Sequence, residues 1–393
     1  MLAEHPTEET RVKFIHTADW HLGRQFHNVS LIEDQRHVLG QLVALARDVE
    51  ADALVIAGDV YDRAVPNPEA VTLLDEFLNE MVGSLGIPVV MIAGNHDSAG
   101  RLGFGADLLR PSGLHIFGPL QAVPGIVTLQ DEWGAVHFVG LPYADPAGVR
   151  HATGVTDIHS HEAALAALAN AARAQIPNGE RSVCVAHCFV AGGEESESER
   201  PLSVGGASSV PKSVFEGFTY TALGHLHRPQ RLRDRVHYSG SLLKYSFSEI
   251  AHVKSVNVVE IDGQGGLDVT AHRLEPLRDL RLVEGELADL LRGPGPGESP
   301  EDFLLVRLTD RKALLDPMGR LREVYPNVLH IERPALEQAS PAALQGGDAG
   351  LGDRELFAAF FEEVTGEPLT KEEETAFAEV CEHLQRRERE AHS

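Results

Sequence analysis

Five short polar blocks, each set directly behind an apolar run, limit what this 393-residue chain can fold into. The most informative is Gly94-Asn95-His96-Asp97, behind the apolar residues 87–92. Such a run reads as a buried strand, and the glycine lets the chain turn sharply at the strand's carboxyl end. In the same way Asp19-Trp20-His21-Leu22-Gly23 follows residues 12–17, and Gly58-Asp59-Val60-Tyr61-Asp62-Arg63 follows 53–57. His187 closes the run 182–186, and Gly224-His225-Leu226-His227 closes 220–223. Open α/β sheets place their chemistry at this end of their strands.

Helical patterns separate the first three runs. Ser30-Leu31-Ile32-Glu33 has capping-box spacing, and Val38, Leu39, Leu42, Val43, Ala46 and Val49 form an apolar stripe behind it. Asn67-Pro68 reads as a second helix start, with Val71, Leu74, Leu78 and Met81 carrying the periodicity to Gly83. Strand–helix–strand–helix–strand predicts a parallel sheet with right-handed crossovers. Short alternating strands over 114–142, an alanine-rich helix over 161–175 and strands at 236–239 and 253–261 extend the same domain, expected over 12–275. After Glu275-Pro276 the motifs stop, and 276–333 reads as a small strand–helix–strand–helix–strand domain. Residues 334–352, rich in Ala, Gly, Pro and Gln, read as a linker. Residues 353–390 read as two amphipathic helices, the second starting at Thr370 with Glu373 at capping-box spacing.

Composition narrows the class. No apolar run reaches the roughly 18 residues of a membrane span, so no membrane partner is expected. The polar, acidic residues 1–11 read as a disordered leader without a signal or anchor pattern. Three cysteines, Cys184, Cys188 and Cys381, make no disulfide framework and fit a reducing cytoplasm. A formal charge of −25 argues against an unaided grip on nucleic acid, although bound cations or a basic partner would supply the missing charge. Twenty histidines in such a chain invite a search for metal ligands.

The candidate ligands are Asp19, His21, Asp59, Asn95, His187, His225 and His227. Oxygen and nitrogen donors without thiolate suit Mn²⁺, Fe²⁺, Mg²⁺ or Zn²⁺. Seven donors exceed the needs of one ion, and a bridging carboxylate, here Asp59, allows two ions roughly 3.5–4 Å apart. Such a pair clamps a phosphate and sets an activated water in line with phosphorus. His96, beside a ligand but not required as one, is placed to stabilise the transition state or protonate the leaving oxygen. Asp97 is expected to cap its turn, and His16 and Cys184 to be structural. His37 and the acidic run Glu194 to Glu199 are expected to be solvated surface.

The ordered series D-x-H, GD-x-x-D, GNHD, lone His and GH-x-H resembles the calcineurin-like metallophosphoesterases. Within them, residues 16–23 (HTADWHLG) and 240–247 (GSLLKYSF) are similar to the SbcD family, the nuclease subunits of bacterial SbcCD complexes. The resemblance spans essentially the whole chain. It implies a four-layer α/β/β/α sandwich with a small α/β capping domain and a C-terminal helical tail. It also implies a metal-dependent double-strand DNA exonuclease and hairpin endonuclease of DNA repair, recombination and replication. Mn²⁺ is the expected metal, with Mg²⁺ as the second choice. By resemblance, Asp19, His21, Asp59 and His227 hold one ion, Asp59, Asn95, His187 and His225 the other, and His96 acts on the leaving group. Archaeal relatives have histidine where this chain has Asp62, whereas Ser/Thr phosphatases have an aspartate that orients the GNH histidine. Asp62 is therefore expected to orient His96.

Arg24, Gln25, His27, Arg228, Lys244 and Tyr245 lie near the ligand blocks and are candidate DNA contacts. In the tail, Leu356, Phe357, Phe360, Phe361 and Val364 share one helical face, and Phe377, Val380, Cys381 and Leu384 share another. That is more apolar surface than an isolated helix hides, so a docked partner is expected. The family resemblance makes the partner an SbcC-type coiled-coil ATPase and adds a homodimer formed through the phosphoesterase domain. Rival functions are a protein phosphatase, a hydrolase of small phosphodiesters and a non-catalytic scaffold.

Overall fold

The computed structural model describes residues 11–199, 209–310, 314–334, 357–358, 360–362 and 368–391, the last ten of these for backbone only. The leader up to residue 10, all of the linker but Pro334, Leu356, Val364 and the Leu384 side chain thus lie outside the described residues. The chain divides into two compact units, Met1–Asp279 and Leu280–Ser393.

Two six-stranded sheets build the first unit. In one, Val12–Thr17, Ala53–Ile56, Val89–Ile92 and Leu114–Phe117 run parallel, and Ser255–Ile261 and Leu267–Arg273 add antiparallel strands beyond Val12–Thr17. In the other, Gly134–Leu141, Arg181–His187, Tyr220–Gly224 and Val236–Tyr238 run parallel between two antiparallel edge strands. The sheets pack face to face. Phe14, Val55, Val90 and Ile92 from one meet Phe138, Val183, Val185 and Tyr220 from the other in a single core. Alternation sends Ile15, Leu54, Ile56 and Met91 to the opposite, equally buried face, as strands covered on both sides require. On the outer face of the second sheet, the helices Pro146–Thr153 and His161–Arg173 contribute Val149, Leu165 and Leu168 to another core. The architecture is the expected α/β/β/α sandwich.

Two details of the helices differ from the sequence pattern. Helix Ile32–Asp48 is capped by Leu31 without a side-chain bond, so the expected capping box does not form; Ser30 Oγ only accepts from Ile32 N at 3.4 Å. Helix Pro68–Leu78 starts as expected, with Asn67 accepting from Ala70 N, but it buries Ala70, Leu73, Leu74 and Phe77 and leaves Val71 exposed. Phe77 sets this rotation by packing edge-on against the buried Trp20 at 5.0 Å. An aromatic contact with a residue far away in the chain outweighs the local stripe.

In the second unit, Leu280–Gly285, Phe303–Leu308 and Val328–Glu332 form a parallel three-stranded sheet around Leu304, Val306, Leu321 and Val328. The helix Lys371–Ala391 opens with the expected capping box, Glu373 N donating to Thr370 Oγ1 and Thr370 N to Glu373 Oε2. The phenylalanines expected on shared faces divide: Phe357 stacks on Phe377 at 3.8 Å, whereas Phe360 and Val380 remain exposed.

Phe138 is fully buried between the sheets and meets Phe14 edge-on at 5.2 Å. Phe138→Ala is expected to destabilise the first unit by about 3–5 kcal/mol, read as a lowered urea midpoint at unchanged slope.

Candidate metal centre

The strands stop at one edge of the sandwich, but the loops after them keep pairing. Asp19 N donates to Gly58 O, His21 N to Asp59 O and Leu22 N to Val60 O, at 2.9–3.1 Å. This ladder brings the first two blocks side by side in a strained form. Asp19, His21 and Asp59 have φ of 54°, 46° and 49°, and His225 has 112°, conformations that non-glycine residues adopt at a cost of about 1–3 kcal/mol each. Four of the seven candidate ligands carry such strain.

Three glycines permit the close approach of the loops. A Cβ at Gly94 would lie 2.2 Å from Asp59 Oδ1, one at Gly58 2.5 Å from His187 Nδ1, and one at Gly224 2.0 Å from the carbonyl oxygen of Ala57. No other residue fits at these points.

The side chains converge accordingly. His21 and His227 point their Nε2 atoms at each other across 3.0 Å. Asp59 Oδ2 lies 3.4 Å from His187 Nε2 and 3.8 Å from His21 Nε2. Asn95 Oδ1 meets His187 Nε2 at 2.9 Å and His225 Nδ1 at 3.2 Å. Asp19 accepts from His225 N with both carboxylate oxygens. Among the described residues, three groups have ligand atoms within 4.8 Å of one another: Asp19 with His21 and His227, Asp19 with Asp59 and His187, and His21 with Asp59 and His96. Asp19, His21 and Asp59 each belong to two of them.

Charge on this cluster is unbalanced. Burial drives Asp19 well above the ordinary carboxylate range, with Asp59 and Glu199 adding to the shift. Burial pushes Asp59 the same way, but the nearby His187, His21 and His96 overcome it and hold Asp59 low. Burial should lower His187 too, yet Asp59 and Asp19 raise it to about 9. Burial takes His225 down to about 3 and His21 well below its usual value. The positive charge favoured on His187 thus answers chiefly the Asp59 carboxylate, while burial favours the uncharged form of Asp19. The residues fit a divalent cation: the donors are carboxylate, amide and imidazole, and two Nε2 atoms 3.0 Å apart cannot both be protonated.

Around the donors, Ala57 O fixes the His187 ring through Nδ1 at 2.9 Å, and Ser198 Oγ meets His227 Nδ1 at 2.5 Å. Asp97 accepts from Gly94 N, Val60 N and Tyr61 N, the turn-capping role expected of it. His16 is buried between Tyr220 OH and Leu223 O, and Cys184 is a packed thiol. Asp62 meets His96 differently than expected. His96 Nδ1 lies 2.9 Å from the main-chain carbonyl of Asp62, and the Asp62 carboxylate turns instead to Arg24 at 3.2 Å and towards His21 Nδ1 at 3.7 Å. Arg24 competes successfully for that carboxylate.

Other surroundings were not visible in the sequence. Glu199, expected on a solvated face, turns inward to accept from His227 N, and Ser198 beside it hydrogen-bonds Glu249. Glu249 and Lys254 form a buried ion pair at 2.5 Å, and Lys254 also donates to His227 O. Gln35 had one signal: a polar residue inside the apolar stripe of its helix.

Of the candidate DNA contacts, Gln25 and His27 are exposed on a small hairpin. Arg24 lies over the Tyr245 ring, Arg228 pairs with Glu194, and Lys244 pairs with Asp279 at 2.8 Å. Tyr245 is buried as a wall of the site, 5.6 Å from the His21 ring and 5.8 Å from that of His227, so it is withdrawn as a DNA contact.

Fold and strand-end cluster together define a calcineurin-like phosphoesterase, and the profile of that family matches residues 12–161. A second profile, SbcD_C, described as the type 5 capsule protein repressor C-terminal domain, matches residues 276–365. The chain is 33% identical over 329 residues, 84% of its length and 87% of the relative's, to a Staphylococcus epidermidis protein named as the D-subunit of nuclease SbcCD. It belongs to the SbcD family and is a metal-dependent phosphoesterase. A crystal structure from Thermus thermophilus, that of TT1561, is 12% identical and covers 67% of this chain and 99% of its own, at a TM-score of 0.38, too distant to inform the fold.

Saturating the protein with Mn²⁺ at 100 times its dissociation constant is expected to stabilise it by about 2.7 kcal/mol per site, lost on adding EDTA. In Gly94→Ala the displaced Asp59 should abolish most of that gain, measured as the melting shift between metal-loaded and chelated protein.

Proposed function

We propose that the chain is a two-metal DNA nuclease, a double-strand exonuclease and hairpin endonuclease, acting with an SbcC-type coiled-coil ATPase in DNA repair, recombination and replication. The observation that carries this reading is the convergence of two carboxylates, an amide and four imidazoles at one edge of the sandwich, with His96 beside them. The relative named as part of a nuclease supports the choice of a nucleic-acid substrate.

In this reading Asp19, His21, Asp59 and His227 hold one ion, and Asp59, Asn95, His187 and His225 the other, with Mn²⁺ preferred and Mg²⁺ second. When bound, the ions supply Lewis-acid charge at the phosphate and an activated water. The chain's own residues do the rest. His96 donates Nδ1–H to the carbonyl of Asp62, which leaves Nε2 available; in the imidazolium form its Nε2–H passes to the departing oxygen and the ring is left neutral. Asp62 contributes by holding that ring through its main-chain carbonyl. Ala57 O and Ser198 fix the tautomers of His187 and His227. Gln25, His27, Arg24, Arg228 and Lys244 contact the DNA backbone, the last three after exchanging their carboxylate partners for phosphate.

Domain roles complete the proposal: 12–275 as nuclease, 276–333 as cap, 334–352 as linker, and 353–390 as the segment that docks on the ATPase through Phe360, Phe361 and Val380. The protein works as a cytoplasmic homodimer, and the partner supplies the DNA-binding charge that a chain at −25 lacks. No helix among the described residues is long and apolar enough to cross a membrane.

The test is Mn²⁺-dependent cleavage of a blunt duplex and a DNA hairpin, by the chain with its ATPase partner. His96→Ala is expected to lower cleavage by about 10²–10⁴-fold with metal binding retained. No cleavage by wild type, alongside brisk hydrolysis of a small chromogenic phosphodiester, would move the assignment to a small-substrate phosphodiesterase.

A further inference from the structure

The loop carrying Asp19 and His21 is held in its strained shape by something outside itself. Helix Ile32–Asp48 inserts one polar side chain, Gln35, fully buried, into the concave side of that loop. Its Nε2 donates to the carbonyl oxygens of Trp20 at 3.1 Å and His21 at 2.8 Å, and its Oε1 accepts from Gly23 N at 3.0 Å. Three backbone groups of the ligand loop are thereby tied to one amide. Tyr245, from a distant part of the chain, completes the grip: its hydroxyl donates to Trp20 O at 2.5 Å and accepts from Gln35 Nε2 at 3.3 Å. Only an amide offers donors and an acceptor in this arrangement.

From this geometry we infer that Gln35 and Tyr245 form a clamp that positions His21 and Asp19 for metal binding, an inference that rests on the ligand assignment above. Neither touches a ligand side chain by hydrogen bond, so both are positioning residues. The clamp stands on fixed ground. Asp34, next to Gln35, makes a two-pronged ion pair with Arg278. Trp20, lying between the two ligands, is itself seated by Thr17 Oγ1 at 2.9 Å and by the Phe77 ring. With the clamp removed, the left-handed residues Asp19 and His21 have less to oppose their relaxation, and the donors they present would separate.

Substitutions separate positioning from space-filling. Gln35→Met keeps the length of the side chain and removes every hydrogen bond, and Tyr245→Phe removes one hydroxyl. Metal-free wild type, both variants and their double are titrated with MnCl₂ by calorimetry, with Asp19→Asn as a control on the ligand assignment and melting curves run in parallel. Gln35→Met is expected to weaken one Mn²⁺ site by about tenfold or more while the other is kept, and Tyr245→Phe to weaken the same site by less. The double variant should lose less than the product of the two, because both residues hold the Trp20 carbonyl. A space-filling Gln35 predicts a lowered melting temperature with the wild-type isotherm, and that result in both variants overturns the clamp. If Gln35→Met does not fold, Tyr245→Phe decides: a wild-type isotherm there overturns the clamp as well. If Asp19→Asn binds as wild type does, the ligand assignment falls, and the clamp with it.

Discussion

Everything at this site depends on two sheet edges coming close enough for their loops to touch. A metal centre built from five separate blocks needs backbones within van der Waals contact, and a single β-carbon at Gly58, Gly94 or Gly224 would prevent it. The interlocked sheets fix how far apart the strands end, and the absence of side chains at three points closes the remaining gap. The ladder from residues 19–22 to 58–60 then orients the first two donor groups, with left-handed backbone at Asp19, His21 and Asp59 as the cost.

Burial explains why such strain persists. Carboxylates and imidazoles with no access to water have displaced proton affinities: burial lifts Asp19, while Asp59 and His187 hold each other in opposite charge states. In the proposed reading a divalent cation takes the place of those protons, so that folding and metal binding favour the same arrangement. The interactions surrounding the donors follow the same logic: Ala57 O, Ser198 and the Glu249–Lys254 pair each hold a ring or a carbonyl that the donors need.

Much of this was readable in the sequence because the informative signals are local. An apolar run followed by glycine and a polar residue specifies both a strand and the end of the sheet at which its chemistry sits; residues 12–23 and 87–97 show this directly. What could not be read depends on distant partners or on which atom of a residue is used. Gln35 acts across the fold on residues 20–23, and Glu249 reaches His227 through a loop whose charge pattern resembles solvated surface. Asp62 lies against His96, but sequence cannot distinguish its carboxylate from its carbonyl, and Arg24 decides between them. On helix Pro68–Leu78 the expected Leu74 is buried, as is Met81 beyond it, but Val71 is exposed because Phe77 turns towards Trp20. Tyr245 reads as a surface aromatic until the ligand loop is folded over it.

In the proposed site one carboxylate, that of Asp59, joins two ions at the carboxyl edge of the sheets. Anomalous scattering at the manganese edge, from crystals grown with Mn²⁺, tests it most directly. Two peaks are expected, both bounded by Asp59, with His227 on one side and His225 on the other. A single peak, or a pair that leaves Asp59 untouched, would contradict it.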